Sequence, residues 1–338
     1  MFETKVAVLN RANPQVEILQ EAAALLAAGE VVAFPTETVY GLGANALDAN
    51  AAAKIFAAKD RPADNPLIVH IAKVEELQTV AQVPESALRL AAAFWPGPLT
   101  LVLPRKAAVP PIVSAGLDTV AVRLPADPLA RALVETAGFP IAAPSANRSG
   151  RPSPTTAAHV LEDMAGRIPL ILDGGPVDIG LESTVLDLCG QTPAILRPGK
   201  LTAADLAPLL GRVEYASGIL AENERPQAPG MKYRHYAPRG EVIAASAPTL
   251  ARLYHESPSP KPFVVACRES RSLFPADAPY FQIADRSDLA GFAQNLFAAF
   301  RLADQAGAKR ILVETVPEQG LGIAIMNRLK KAAKQVLD

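Results

Sequence analysis

Short apolar runs alternate with alanine-rich segments of helical spacing along most of this 338-residue chain. VVAF (31–34), PLIVHI (66–71), PLTLVLP (98–104) and VAVRLP (120–125) are too short for stable helices and too apolar for surface loops. They read as buried strands. Between them, VEILQEAAALLAAGE (16–30), ANAAAKIFAAKD (49–60), PESALRLAAAFW (84–95) and DPLARALVETAG (127–138) carry the apolar period of amphipathic helices. The first of these stops at Gly29, a common helix terminator. PTETVYGLG (35–43) fits neither period.

The interleaving continues through the strands PIAAPS, PLILD, STVLDL and PAILRPG and the helices SPTTAAHVLEDMAG and TAADLAPLLG. Several strands follow one another without a helix. That predicts an α/β fold with α+β character and a mixed sheet rather than a doubly wound parallel one. Residues 1–212 are expected to form this domain. Residues 213–239 read as a connector in which prolines gather. In residues 240–338, EVIAAS, KPFVVAC, YFQIAD and AKRILVET are expected as strands. APTLARLYHE, DLAGFAQNLFAAFRLADQAG and a closing helix from Gly320 through Leu337 complete a small Rossmann-like three-layer domain with a largely parallel sheet.

Half the residues are hydrophobic and a fifth are charged, so a sizeable core is available, and the formal net charge is −1. Broad nucleic-acid binding is disfavoured by that balance. Cys189 and Cys267 lie far apart, and His70, His159, His235 and His255 show no ligand spacing, so no protein-held metal is expected. No leader or membrane-spanning stretch is expected, and the chain reads as cytoplasmic. The P-loop, the GxGxxG turn and the GxSxG elbow are all missing.

Polar clusters at strand ends remain, where α/β sheets commonly bind ligands. PTETVYG offers Thr36, Glu37, Thr38 and Tyr40; a hydroxyl-rich turn with local hydrogen bonds explains it equally well. Lys59 and Arg61 follow a helix whose C-terminus favours cations anyway. The PADNP loop beyond them is stiff enough to aim both at an anion. APSANRSGRPSPT brings Ser145, Asn147, Arg148, Ser149, Arg151 and Ser153 toward a helix start, a set suited to a phosphate. Capping by Ser153 or Thr155 accounts for only part of it. Arg123 and Arg197 end strands, and GGPVDIGLESTV adds glycines with Ser183 and Thr184.

Together PTETVYGLG, KDRPADNPL, PGPLTLVL, VAVRLP, PSANRSG, LESTV and LRPG resemble the YrdC domain. PGMKYRHYAP (229–238) and GLGIAIMNRLKKAA resemble the longer, two-domain Sua5 form, so the resemblance covers nearly the whole chain. It implies an L-threonylcarbamoyladenylate synthase, a nucleotidyltransferase that joins L-threonine, bicarbonate and ATP into threonylcarbamoyl-AMP and pyrophosphate. A downstream transferase complex then modifies adenosine 37 of tRNAs reading ANN codons. Mg2+ is expected to accompany ATP. The resemblance places Thr38, His70, Arg123, Ala143 and Ser183 around L-threonine. It places Lys59, Arg61, Asn65, Thr119, Ser145, Asn147, Ser153, Arg197 and Tyr236 around ATP, with Lys59 and Arg61 as the catalytic cations. PGMKYRHYAP is expected to close over the nucleotide as well as to tether the domains. An RNA-binding or ribosome-maturation module without ATP turnover is the rival reading. A hydrogenase-maturation carbamoyltransferase is a weaker rival, since the chain has neither the length nor the cysteines for its extra domains.

Overall fold

The computed structural model describes residues 2–216 and 236–338. They form two compact units: residues 2–149, Pro154–Asp178 and 182–216 in the first, and Gly150–Ser153, Ile179–Leu181 and 236–338 in the second.

The first unit runs β1 (Lys5–Val8), α1 (Val16–Ala27), β2 (Val32–Phe34), β3 (Gly41–Asn45), α2 (Ala49–Lys59), β4 (Ile68–His70), α3 (Leu77–Val80) and α4 (Glu85–Phe94). It continues with β5 (Leu99–Pro104), β6 (Thr119–Arg123), α5 (Pro128–Ala137), β7 (Ile141–Ala142), α6 (Ala157–Met164), β8 (Leu170–Asp173), β9 (Thr184–Asp187), β10 (Ala194–Arg197), α7 (Ala203–Leu210) and β11 (Glu214–Tyr215). The sheet order is β1-β8-β2-β3-β7-β4-β6-β5-β9-β10-β11, with parallel and antiparallel pairs, so the expected mixed sheet forms.

Local chemistry sets the helix ends that matter for the site. Asp48 caps α2 by accepting from Asn50 N at 2.8 Å and Ala51 N at 3.3 Å. Asp60 ends the helix in the left-handed region at φ 52°. Arg61 N then donates back to Phe56 O at 3.0 Å, so Lys59 and Arg61 leave the helix in a fixed turn. Asp127 caps α5 ahead of Pro128, whose missing N–H costs nothing at that position. Thr156 caps α6, in place of the expected Ser153 or Thr155. Thr155 instead holds His159 Nδ1 at 3.2 Å.

Side-chain alternation gives the central strands two faces. One face sends Val69, Val122, Leu101, Leu103 and Leu186 into the main apolar core with α2 and α4. The other carries a smaller apolar patch of Ile68, Val102, Ala121, Val185 and Leu196. The polar residues described below share that second face.

The second unit contains β12 (Glu241–Ala245), α8 (Ala247–Glu256), β13 (Phe263–Ala266), β14 (Tyr280–Gln282), α9 (Leu289–Gln305), β15 (Arg310–Glu314), α10 (Leu321–Ala332) and β16 (Gln335–Val336). Its strands pair in parallel in the order β14-β13-β15-β12-β16. α8 packs against β12 and β15, and α10 packs against β12 and α9. With the right-handed crossovers that parallel strands favour, this strand order implies α8 on one face and α9 with α10 on the other, the expected three layers.

Some elements depart from the sequence reading. β1 forms where no strand was expected, because Lys5–Val8 pairs with β8. Gly41–Asn45, read as irregular, becomes a strand against β2. The closing helix ends at Ala332, and Gln335–Val336 adds an edge strand to β12.

Gly199 sets the approach of the chain after β10 to β9. A Cβ there would lie 2.3 Å from Thr184 N and 2.7 Å from Ser183 C. Backbone atoms cannot yield as a flexible side chain can, so Gly199→Ala is expected to cost about 1–3 kcal/mol. A urea midpoint matching the parent would reject this packing constraint.

Candidate active site

Cross-strand register aligns five residues in one transverse row. His70 on β4 faces Arg123 on β6, and Arg123 faces Thr100 on β5. Thr100 faces Val185 on β9, and Val185 faces Arg197 on β10. Directly opposed residues project to the same side of a sheet, so His70, Arg123, Thr100 and Arg197 share a face. A bulge between Ile195 and Arg197 puts the arginine at that register. Thr119 and Ala121 alternate onto the same face of β6.

Arg123 is the hub of the row, and it is buried. Its Nη2 pairs with Glu37 Oε1 at 2.7 Å, its Nη1 donates to Thr38 Oγ1 at 2.9 Å, and its Nε donates to Gly97 O at 3.2 Å. Burial works against the Glu37 charge, while the Arg123 guanidinium and backbone N–H groups favour it. The net effect holds its carboxyl below the ordinary value. Thr38 in turn touches Thr36 Oγ1 at 2.8 Å. Glu37 was visible in PTETVYG only as one oxygen-bearing side chain among several. The signal missed was that a buried arginine needs an internal counter-charge.

His70 is also buried. Desolvation, and after it the Arg123 charge, pushes its imidazole pKa down to about 3. The ring is therefore neutral at physiological pH, and Nδ1–H donates to Ile68 O at 3.2 Å. At the other end of the row, Arg197 Nη2 donates to Ser183 Oγ at 3.1 Å and its Nε to Ser183 O at 3.1 Å. Ser183 Oγ lies 2.7 Å from Thr100 Oγ1.

A second cluster follows β7. Ala143 N donates to Ile68 O at 2.8 Å, and the chain then bridges Ser145 to Gly41. Lys59, 2% exposed, sends Nζ to the carbonyls of Ser145 and Asn147. Its pKa is pushed well down, first by desolvation and then by the neighbouring Arg61 charge. Ser145 Oγ donates to Asn147 Oδ1 at 2.5 Å. Arg61 Nη2 donates to Asn65 O at 3.1 Å and Pro66 O at 3.2 Å, so the PADNP loop wraps its own arginine. The Asn65 side chain is buried with its Oδ1 lacking a hydrogen bond among the described residues.

Other candidates lie elsewhere. Arg148 pairs with Asp60 at 2.9 Å on the exposed surface, and Arg151 lies 3.8 Å from Asp304 within the second unit. Ser153 and Tyr236 belong to the second unit as well. There the Tyr236 ring stacks on Phe297 with centroids 5.3 Å apart, and Arg328 sits over it at 5.4 Å. Lys232, Tyr233, Arg234 and His235 of PGMKYRHYAP lie outside the described residues.

Comparison with known proteins gives a consistent result. A family model covering Sua5, YciO and YrdC, described as "Telomere recombination", matches residues 24–199. A second, described as "Threonylcarbamoyl-AMP synthase, C-terminal domain", matches residues 201–334. Threonylcarbamoyl-AMP synthase of Pyrococcus abyssi (strain GE5 / Orsay) is 48% identical over 324 residues, spanning 92% of this chain and 93% of that protein. The Bacillus subtilis (strain 168) protein of the same name is 47% identical over 334 residues, spanning 96% and 94%. The crystal structure of P. abyssi Sua5 complexed with L-threonine matches with a TM-score of 0.92 at 44% identity, covering 99% of this chain and 100% of that one. With both models matched in order over almost its full length, the chain belongs to the Sua5/YrdC family, in its two-domain Sua5 form.

Proposed function

We propose that this chain is an L-threonylcarbamoyladenylate synthase, converting L-threonine, bicarbonate and ATP to threonylcarbamoyl-AMP and pyrophosphate. The observation that carries this reading is the single row of His70, Arg123, Thr100 and Arg197, flanked by Thr38 and Ser183. Together they offer a neutral imidazole, three hydroxyls and two guanidiniums, a set suited to a small zwitterion with a charged co-substrate. The relatives named threonylcarbamoyl-AMP synthase support the substrate assignment.

The chemistry suits these groups. Threonine's amine and bicarbonate form a carbamate with loss of water, and a carbamate oxygen attacks the α-phosphorus of ATP, expelling pyrophosphate. Nucleophile and target are both anionic, and two unit charges 4 Å apart repel by about 4 kcal/mol at an effective dielectric near 20. Lys59, Arg61 and Arg197 are the cations assigned to offset this repulsion, with Ser145, Asn147, Asn65 and Thr119 holding the nucleotide. Lys59 is poorly solvated before the phosphates arrive, so an incoming anion favours its charged form. Arg123, with His70, Thr38, Ser183 and the backbone at Ala143, is assigned to threonine.

Magnesium enters as part of the nucleotide substrate. The side chains assigned to the phosphates are cations, amides and hydroxyls, and the nearby Glu37 carboxylate is held by Arg123. Among the described residues no helix is long and apolar enough to cross a membrane. We place the enzyme in the cytoplasm, supplying a transferase complex that carries the threonylcarbamoyl group to tRNA.

Pyrophosphate release should require L-threonine, bicarbonate and ATP together, falling to background when any one is left out. Release that persists without threonine would refute the assignment. Arg123→Lys keeps a charge but loses the planar fork, so the threonine KM should rise at least about tenfold, roughly 1.4 kcal/mol. Arg123→Ala strands Glu37 as an unpaired buried charge and should cost about 3–5 kcal/mol of stability in a denaturant titration.

The neutral His70 gives a pH test. Its folded pKa is about 3. The unfolded chain binds this proton near pH 6.5, so stability is lost as pH falls from about 6.5 toward 3. The loss should reach roughly 2–3 kcal/mol at pH 4.5. His70→Gln should therefore flatten the fall in Tm between pH 7 and pH 4.5. An unaltered slope would show that His70 does not titrate in this way.

A further inference from the structure

Gly150–Ser153 belong to the second unit, although Ser149 and Pro154 on either side belong to the first. Both flanks are pinned there: Ser149 N donates to Lys59 O at 2.9 Å, and Tyr40 N donates to Pro154 O at 2.9 Å. Between those points the backbone gives carbonyls to the second unit. Ala237 N donates to Gly150 O at 2.9 Å, and Arg301 Nη2 donates to Pro152 O at 2.6 Å. Pro152 has no N–H, so its carbonyl is the polar backbone group it can offer. Gly150, at φ 86°, leaves the stretch free to take other paths. A single path therefore has to be imposed by what holds it.

Arg301 lies on α9 and is 1% exposed. A buried guanidinium adds little net stability over an apolar side chain of similar volume; what it supplies is a fixed geometry. The same face of α9 gathers other segments of the second unit. Phe297 stacks on Tyr236, and Asp304 accepts from Arg239 N at 2.7 Å and pairs with Arg151 at 3.8 Å. A Cβ on Gly180 would lie 2.4 Å from Gln294 Cα, so residues 179–181 also run close against this helix. Positions 294, 297, 301 and 304 recur every three or four residues, which places these contacts along one stripe.

We propose that Arg301 is a positioning residue for the nucleotide site. By holding Pro152 O it fixes the path of the loop that carries Ser145 and Asn147 just before Gly150. Arg301 need not touch ATP. The second unit then contributes to nucleotide binding through the continuity of the chain. The proposal rests on the ATP-binding reading above.

The test compares Arg301→Met and Arg301→Lys with the parent in the full-length enzyme, each assayed well below its own Tm. Methionine keeps an unbranched stem and removes the donors, while lysine keeps a charged donor. Arg301→Met should raise the ATP KM about fivefold or more and leave the threonine KM within about twofold. Arg301→Lys should recover part of that loss. A lower Tm with both KM values unchanged would show a contact that serves stability alone and would overturn the proposal. So would equal rises in both KM values, or a lysine variant no better than methionine. Should Arg301→Met fail to fold, hydrogen exchange in the parent decides. Linkage is reciprocal, so saturating ATP should slow exchange of the Ala237 amide that donates to Gly150 O. Unchanged exchange there rejects the proposal. A parent that releases no pyrophosphate would refute the functional reading itself, before any variant is compared, and the proposal would fall with it.

Discussion

The buried ion pair between Glu37 and Arg123 is the contact on which the rest of the first unit's polar architecture depends. An arginine taken out of water costs several kcal/mol unless its donors are answered. Here the answers come from three separate parts of the chain: the loop after β2 supplies Glu37 and Thr38, the turn before β5 supplies Gly97 O, and β6 supplies the guanidinium itself. A buried pair of this kind adds little net stability. What it provides is position, because the planar fork has few orientations that satisfy all three partners.

Mixed strand directions let so many groups meet along one row. β4, β6 and β10 end at His70, Arg123 and Arg197, while β5 and β9 begin close to Thr100 and Val185. A wholly parallel sheet would bring only strand ends to that edge. In this sheet the antiparallel neighbours bring strand beginnings too, which is why PGPLTLVL and LESTV, both leading into strands, contribute as much as VAVRLP and LRPG, which leave them. The apolar patch of Ile68, Val102, Ala121, Val185 and Leu196 shares this face and lowers the local dielectric. That strengthens every charge interaction beside it.

Much of this was legible in the sequence because the signals were local. The strands Leu99–Pro104 and Thr119–Arg123 and the helices Ala49–Lys59 and Pro128–Ala137 follow from apolar period, proline placement and caps. What was not legible depended on partners far along the chain. Lys5–Val8 has no strong strand pattern of its own and becomes one by pairing with Leu170–Asp173. Gly41–Asn45 is glycine-rich, a composition that argues for a turn, yet it sits between β2 and β7 with Gly43 facing Phe34 and Ile141 so closely that a Cβ would come within 2.7 Å of both. Arg148 looked as promising as Arg123 for an anion, and only tertiary placement shows that it is held at the surface by Asp60.

The hydroxyls show the same division at finer scale. PTETVYG announces its oxygens, but a sequence cannot say which way an O–H points. The direction of the Thr36 hydroxyl is set by Val39 O at 2.6 Å, while its oxygen accepts from Thr38 N at 3.1 Å and Val39 N at 3.2 Å. Thr36 thereby connects two readings that the sequence left equally open. The segment is a self-bonded turn, as local chemistry alone would suggest, and that self-bonding is what holds Thr38 Oγ1 2.9 Å from Arg123 Nη1. Local hydrogen bonding and the placement of Arg123 are in this case the same structure, since the turn that satisfies its own donors also supplies Glu37 and Thr38 to the guanidinium.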